Sequence, residues 1–379
     1  MTADVHKMGK RCLPLSENKE YLSRQLITYL GNKRALLDFI GNGVAKVQKK
    51  LNKNKLKIFD AFSGSGIAAR YFKQFSGTLI VNDLEKYSAV INDCYLSNEN
   101  ELNLPLLREY YGELTLKLTN GLAKGIISEL YAPENDESIK TEERVFYTRR
   151  NAMYIDTARQ LINEIPENKQ KYFLAPLLSE ASIHANTSGV FNGFYKNKET
   201  GIGQFGGKKQ DALFRIKGDI NLPFPVFSSF NCETVIYNDD TNKIINTLPE
   251  TDIAYLDPPY NQHPYGSNYF MLNLILDYKY PEKISRVSGI PEDWNRSGYN
   301  RENHALNALS FLTENIKAKY ILISFNSEGF ISIEQMKAML KKLGKLEVLE
   351  TKYNTFRGSR NLKKREIHVK EYLYLLEKS

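Results

Sequence analysis

Lys57-Ile58-Phe59-Asp60-Ala61-Phe62-Ser63-Gly64-Ser65-Gly66 is the stretch on which the fold turns, with Ile67-Ala68-Ala69-Arg70-Tyr71-Phe72 after it. Residues 57–62 read as a buried strand and residues 67–74 as a helix. Glycines at the turn between them let backbone amides approach a ligand closely, at a helix N-terminus that favours polar or anionic groups. A second short strand, residues 78–81, ends at Asn82-Asp83. A carboxylate at that position is placed to bind both hydroxyls of a ribose. Gly64-x-Gly66-x-x-Ala69 also fits a dinucleotide fingerprint, so at this point a nicotinamide-dependent oxidoreductase stands open.

Working outward, Ile253-Ala254-Tyr255-Leu256 has the continuous apolar character of a buried parallel strand. It runs into Asp257-Pro258-Pro259-Tyr260. Two prolines fix φ and carry no amide hydrogens, so this strand end is stiff. The Asp257 carboxylate and the Pro258 carbonyl then form two acceptors aimed at one point, beside the Tyr260 ring. Two acceptors and a stacking ring suit the exocyclic amine of a nucleobase, and a nicotinamide site has no use for them. Before the glycine loop, Tyr29-Leu30-Gly31-Asn32-Lys33-Arg34 leads into an apolar-periodic helix containing Leu36, Leu37 and Ile40. Gly31 permits a tight entry turn, and Lys33 offers a positive charge beside the cofactor pocket.

These segments, in this order, resemble the Dam-like (alpha-group) DNA adenine-N6 methyltransferases, and the type II modification enzymes among them in particular. Tyr265-Gly-Ser-Asn-Tyr269, Ile321-Leu-Ile-Ser324-Phe-Asn, and Asn192-Gly-Phe-Tyr195 with Gly218-Asp-Ile-Asn221 extend the similarity over about residues 25–379. The segment from Tyr195 to Gly218 is longer than in Dam itself, so Dam's base contacts do not transfer there. The resemblance implies an α/β fold: a Rossmann-like S-adenosylmethionine-dependent methyltransferase sheet with an inserted target-recognition domain. It implies S-adenosylmethionine as cofactor, double-stranded DNA as partner and a cognate restriction endonuclease as functional partner. Asp257, Pro258, Pro259 and Tyr260 are then the catalytic residues. Tyr29, Gly31, Lys33, Asp60, Phe62, Ser63, Gly64, Ser65, Gly66, Asp83, Asp239 and Asp240 are the cofactor set, with the choice between the last two for the cofactor's adenine left open. An RNA methyltransferase shares this chemistry. A cytosine-N4 methyltransferase does too, although those enzymes resemble a Ser-Pro-Pro-Tyr pattern instead.

Composition agrees with such an enzyme. The chain has 379 residues, is 42% hydrophobic and has a net charge of +8, which suits a polyanionic partner. Lys352, Arg357, Arg360, Lys363, Lys364, Arg365 and Lys370 form one basic run; Lys196, Lys198, Lys208, Lys209, Arg215 and Lys217 form another, interleaved with glycines. From these, Tyr195, Lys196, Lys198, Lys208, Lys209, Gln210, Arg215, Arg357, Arg360, Lys363 and Lys364 are the expected DNA contacts. No apolar run reaches membrane-spanning length and no secretory signal is visible. Cys12, Cys94 and Cys232 lie far apart, and the histidines show no ligand spacing. A cytoplasmic, monomeric enzyme without metal is expected.

The order of elements predicts a catalytic domain of residues 1–98 and 233–379, interrupted by a recognition region of residues 99–232. Within the insertion, residues 104–185 read as helical and residues 186–232 as loop and hairpin. Further strands are expected at residues 234–237, 320–325 and 372–376, with helices near residues 303–316 and 332–343.

Overall fold

The computed structural model describes residues 17–208, 210, 212–354 and 368–379. Seven strands form one sheet: β1 Leu56–Asp60, β2 Ser76–Asn82, β3 Glu233–Tyr237, β4 Thr251–Leu256, β5 Ala318–Asn326, β6 Gly344–Asn354 and β7 His368–Lys378, in the order β3-β2-β1-β4-β5-β7-β6. The first five run parallel, and β7 inserts antiparallel between β5 and β6. β4 is buried along its whole length, as a strand covered on both faces must be.

Alternate residues of the central strands feed two cores. Ile58, Leu79, Ile253, Tyr255 and Leu322 face one, with helix Leu37–Leu51 and helix Lys86–Tyr95 packed over them. Phe59, Ile80, Ala254, Leu256, Ile321 and Ile323 face the other, under helices Glu302–Asn315 and Ile333–Leu340. β1 stops at Asp60, two residues short of the expected end, because Ala61 and Phe62 already belong to the turn that carries the glycines.

The segment 99–232 is helical in its first part, with helices Leu104–Thr119, Ile126–Leu130, Arg149–Ile162 and Glu167–Ile183. These helices share the first core with the sheet. Arg159 ties them to the catalytic elements: its guanidinium donates to the carbonyls of Ile275 and Leu276, at the end of helix Phe270–Asp277. The later part, expected to be loop and hairpin, contains among its described residues an antiparallel bridge between Lys196 and Gly203, flanked by hydrogen bonds from Asn197 N to Ile202 O and from Gln204 N to Tyr195 O, and the short helix Leu213–Lys217. Five glycines from Gly201 to Gly218 leave little to pair as strands. Among the described residues no helix is long and apolar enough to cross a membrane.

Leu322 on β5 is fully buried against Gly43 of helix Leu37–Leu51. Leu322→Ala is expected to lower the unfolding free energy by about 2–5 kcal/mol, read as a lower urea midpoint at unchanged slope.

Candidate active site

Parallel pairing brings the carboxyl ends of β1, β2, β3 and β4 to one rim. Asp60 lies opposite Tyr255 and opposite Val81 in register, and Asn82 lies opposite Tyr237. Asn82, fully buried, fastens the loops above them: its side chain donates to Asp239 O at 3.0 Å and Thr241 Oγ1 at 2.9 Å, and accepts from the Asp239 amide. Thr241 in turn donates to Ala61 O at 2.8 Å. A cleft of about 920 Å³, including its open mouth, results.

One end of the cleft is built on the glycine turn. Gly64 has φ +51° and Gly66 φ +74°, conformations that side chains resist. A Cβ on Gly64 would stand 2.6 Å from the Tyr29 ring. The Gly64 amide donates to Asp83 Oδ2 at 2.7 Å, and the Glu85 amide to Asp83 Oδ1 at 2.9 Å. Burial raises the Asp83 pKa against those bonds. Glu85, 2% exposed, is pushed up to about 7 by burial and by Asp83, with Asn273 and Asn295 opposing. Asp240 caps the short helix after β3 by accepting from the Asn242 amide, and Asp239 beside it is exposed.

The other end is the turn after β4. Lys33, 4% exposed, places Nζ 3.0 Å from Asp257 Oδ1 and 3.3 Å from Glu371 Oε1 on β7, and 5.4 Å from the centre of the Tyr260 ring. Burial is the largest influence on Lys33 and opposes its charge, yet the two carboxylates raise its pKa well above the usual value. Asp257 is pushed up to about 6 by burial, with Lys33 lowering it and Glu371 raising it. Tyr260 meets the edge of Phe325, and its carbonyl accepts from the Phe330 amide at 3.0 Å. The Tyr29–Lys33 segment is clamped by two tyrosines. Tyr265 and Tyr269 stack against Tyr29 with ring centres 5.0 and 4.9 Å away, and their hydroxyls bond Leu30 O and Leu30 N.

The segments that build both ends of this cleft fall within a match to one recognised protein family. Residues 29–339 match the family of D12 class N6 adenine-specific DNA methyltransferases. The chain belongs to that family. It is 30% identical to the type II methyltransferase M.NlaIII of Neisseria lactamica over 93% of this chain and 100% of that protein. It is also 30% identical to the type II methyltransferase M.CviAII of Paramecium bursaria Chlorella virus 1, over 92% of this chain and 98% of that one. The type II methyltransferase M.FokI of Planomicrobium okeanokoites is 26% identical over 92% of this chain, which spans 52% of that longer protein. The oxidoreductase reading has no support in these likenesses.

Of the residues expected from sequence, Asp257, Pro258, Pro259, Tyr260, Tyr29, Gly31, Lys33, Phe62, Ser63, Gly64, Ser65, Asp83, Asp239 and Asp240 line this D12-class cleft together. Asp60 and Gly66 do not line it. Gly66 caps the helix beneath, and Asp60 is fully buried under the floor. Lys33, expected beside the cofactor, is paired with the Asp257 carboxylate. Arg215, expected on DNA, is turned inward: its guanidinium donates to the carbonyls of Ile183 and Ala185, closing the end of helix Glu167–Ile183. Lys196, Lys198, Lys208 and Gln210 are exposed and Tyr195 is half-buried. Lys209, Arg357, Arg360, Lys363 and Lys364 lie outside the described residues. Sequence reasoning missed Glu85, Asn295, Tyr299, Asn300 and Glu371. Glu85 carried a signal, two residues past Asp83, whereas Asn295 lies in a loop, Tyr299 and Asn300 in the short 3-10 helix Gly298–Asn300 and Glu371 on β7, none of them within a motif.

Methyltransferases of this family imply S-adenosylmethionine, and the cleft suits it. Asp83, Glu85, Asp239 and Asp240 give the cleft an acidic lining for a cofactor with two cationic centres and ribose hydroxyls. Below it both Asp60 oxygens lack a well-formed hydrogen bond, and burial with Asp257 nearby pushes its pKa well up against the Phe62 amide. Gly64→Ala should strain the backbone and drive a methyl group into Tyr29. It is expected to weaken S-adenosylmethionine binding by roughly tenfold or more in calorimetry, with the circular dichroism of the fold retained.

Proposed function

We propose that this enzyme is the modification methylase of a type II restriction–modification system, methylating N6 of an adenine flipped out of duplex DNA, with a cognate endonuclease as its functional partner. The observation that carries the reading is the pairing of an Asp-Pro-Pro-Tyr strand end with a glycine-turn cleft one strand away. Asp257 at its first position favours adenine over cytosine-N4 chemistry. The target amine is inside the helix, so the base must leave the stack at a cost of a few kcal/mol. Tyr260 offsets part of that cost by stacking on the extruded ring. The Asp257 carboxylate and Pro258 carbonyl accept hydrogen bonds from the amine. That draws its lone pair away from conjugation with the ring and aims it into the cleft.

Tyr29, Phe62, Ser63–Ser65 and Asp83 hold S-adenosylmethionine, with Asp83 on the ribose and Asp239 or Asp240 at the adenine edge. When bound, it supplies a methyl group on a sulfonium, which leaves as a neutral thioether. The amine nitrogen gains the methyl as the carbon–sulfur bond breaks and then loses a proton to solvent water. Positioning and electrostatic preorganisation by the rim supply the rate. Residues 99–232 serve as the recognition region. Exposed Lys196, Lys198 and Lys208 would contact phosphates and Gln210 a base edge, and glycines would let the segment follow a groove.

Asp257→Ala should cut single-turnover methyl transfer by at least ~100-fold while S-adenosylmethionine still binds. Tyr260→Phe should retain most activity and Tyr260→Ala lose most of it, since stacking is worth roughly 1–3 kcal/mol. A 2-aminopurine at the target position should brighten on binding wild-type enzyme; an unchanged signal at saturation contradicts flipping.

Lys208→Ala should weaken binding to all DNA sequences alike and reduce the log–log salt slope by about one. Gln210→Ala should instead relax the choice of base at one position of the site, as read by profiling methylated sequences. Identical profiles and salt slopes for both variants would move recognition to another part of the chain.

A further inference from the structure

Glu371 sits on β7, far in sequence from every motif of the site, and is 2% exposed. It accepts a hydrogen bond from Ser324 Oγ at 3.0 Å and lies 3.3 Å from Lys33 Nζ. Lys33 thus stands between two carboxylates, Glu371 behind it and Asp257 before it. Burying an acid is costly, and one partner cation does not neutralise two acids. The cluster keeps one net negative charge next to the place where the target amine is to bind.

That charge has a use in the reaction. A nitrogen that gives its lone pair to a methyl group becomes cationic before it releases a proton. An aspartate neutralised one-for-one by lysine would offer that cation no net charge, whereas an aspartate with no lysine would lose the contact that fixes its rotamer. We infer that Glu371 is a positioning residue for methyl transfer, sharing the Lys33 ammonium so that Asp257 is held by a cation without being neutralised by it. The inference rests on the reading of Asp257 as the amine's acceptor.

The groups facing Asp257 are Lys33 from the segment before helix Leu37–Leu51, Glu371 from β7, Asp60 from the end of β1, Tyr255 from β4 and Tyr265 beyond the turn. Lys33 lowers the Asp257 pKa and Glu371 raises it. Asp257 accepts the amine as a carboxylate, so methyl transfer declines as the pH falls through its pKa. Without the Glu371 charge that acid limb moves to lower pH, and without the Lys33 charge it moves to higher pH.

The test is the single-turnover rate on duplex DNA at saturating S-adenosylmethionine, measured across pH for wild type, Glu371→Gln, Lys33→Gln and Asp257→Ala. Glu371→Gln should lower the plateau rate about tenfold and move the acid limb down by roughly one pH unit, with S-adenosylmethionine binding unchanged. Lys33→Gln should move the limb in the opposite direction. A Glu371→Gln enzyme that is slower with its limb unmoved would make Glu371 a structural prop and overturn the inference. Should that variant not fold, a Lys33→Gln limb at the wild-type position overturns it equally. Wild-type rates in Asp257→Ala would remove the underlying reading as well, whereas an inactive Asp257→Ala beside an unmoved Glu371→Gln limb removes this inference alone.

Discussion

The parallel pairing of β1 with β4 is the constraint from which the site follows. Ile58, Phe59 and Asp60 lie opposite Ile253, Ala254 and Tyr255, and the Ala61 amide extends the ladder to Tyr255 O at 3.1 Å. Neighbouring strands stand ~4.8 Å apart. Two strands that end level at that spacing must release their loops side by side, so the glycine turn and the Asp-Pro-Pro-Tyr turn open into one cleft. Asn82 carries the same constraint to β2 and β3 by bonding Asp239 and Thr241. The four loops are therefore tied into one rim.

Charge is distributed unevenly on that rim. Asp83, Glu85, Asp239 and Asp240 line the cleft with no ion pair to a lysine or arginine among the described residues, while Lys33 is paired with Asp257. Burying Glu85 and Lys33 costs stability, which the packing of two cores must offset. The return is an arrangement already in place before substrate arrives, so little reorganisation is left for the moment of reaction. The clamp of Tyr265 and Tyr269 on Tyr29 and Leu30 has the same effect, because it fixes the backbone from which Lys33 reaches.

How much of this the sequence carried depended on how local the physics was. The glycine turn, Asp83 and Asp257–Tyr260 were legible because each is a short run whose residue types are dictated by backbone conformation or by one contact. Of β6 and β7 only residues 372–376 were anticipated as strand; the antiparallel insertion of β7 between β5 and β6 is set by packing between distant segments. Glu371 was invisible for that reason: nothing around it in sequence marks it, and only the register opposite Asn326 brings it to Lys33. A basic residue in a basic run reveals its charge and not the direction of its donors, and those of Arg215 end a helix. Of the loop and hairpin expected in residues 186–232, the structure shows a minimal antiparallel turn at Lys196–Gly203 followed by the short helix Leu213–Lys217, and the glycine content of the segment keeps the pairing short.

The central claim, that the rim transfers a methyl group to adenine N6 in duplex DNA, is tested most directly by nucleoside mass spectrometry. Duplex DNA and RNA would each be incubated with the purified protein and isotope-labelled S-adenosylmethionine, then digested. The account predicts labelled N6-methyladenosine in the deoxy form from duplex DNA, absent from the Asp257→Ala control. Label in 4-methylcytosine, label confined to RNA, or none in any nucleoside from an enzyme that binds both the cofactor and DNA would contradict it.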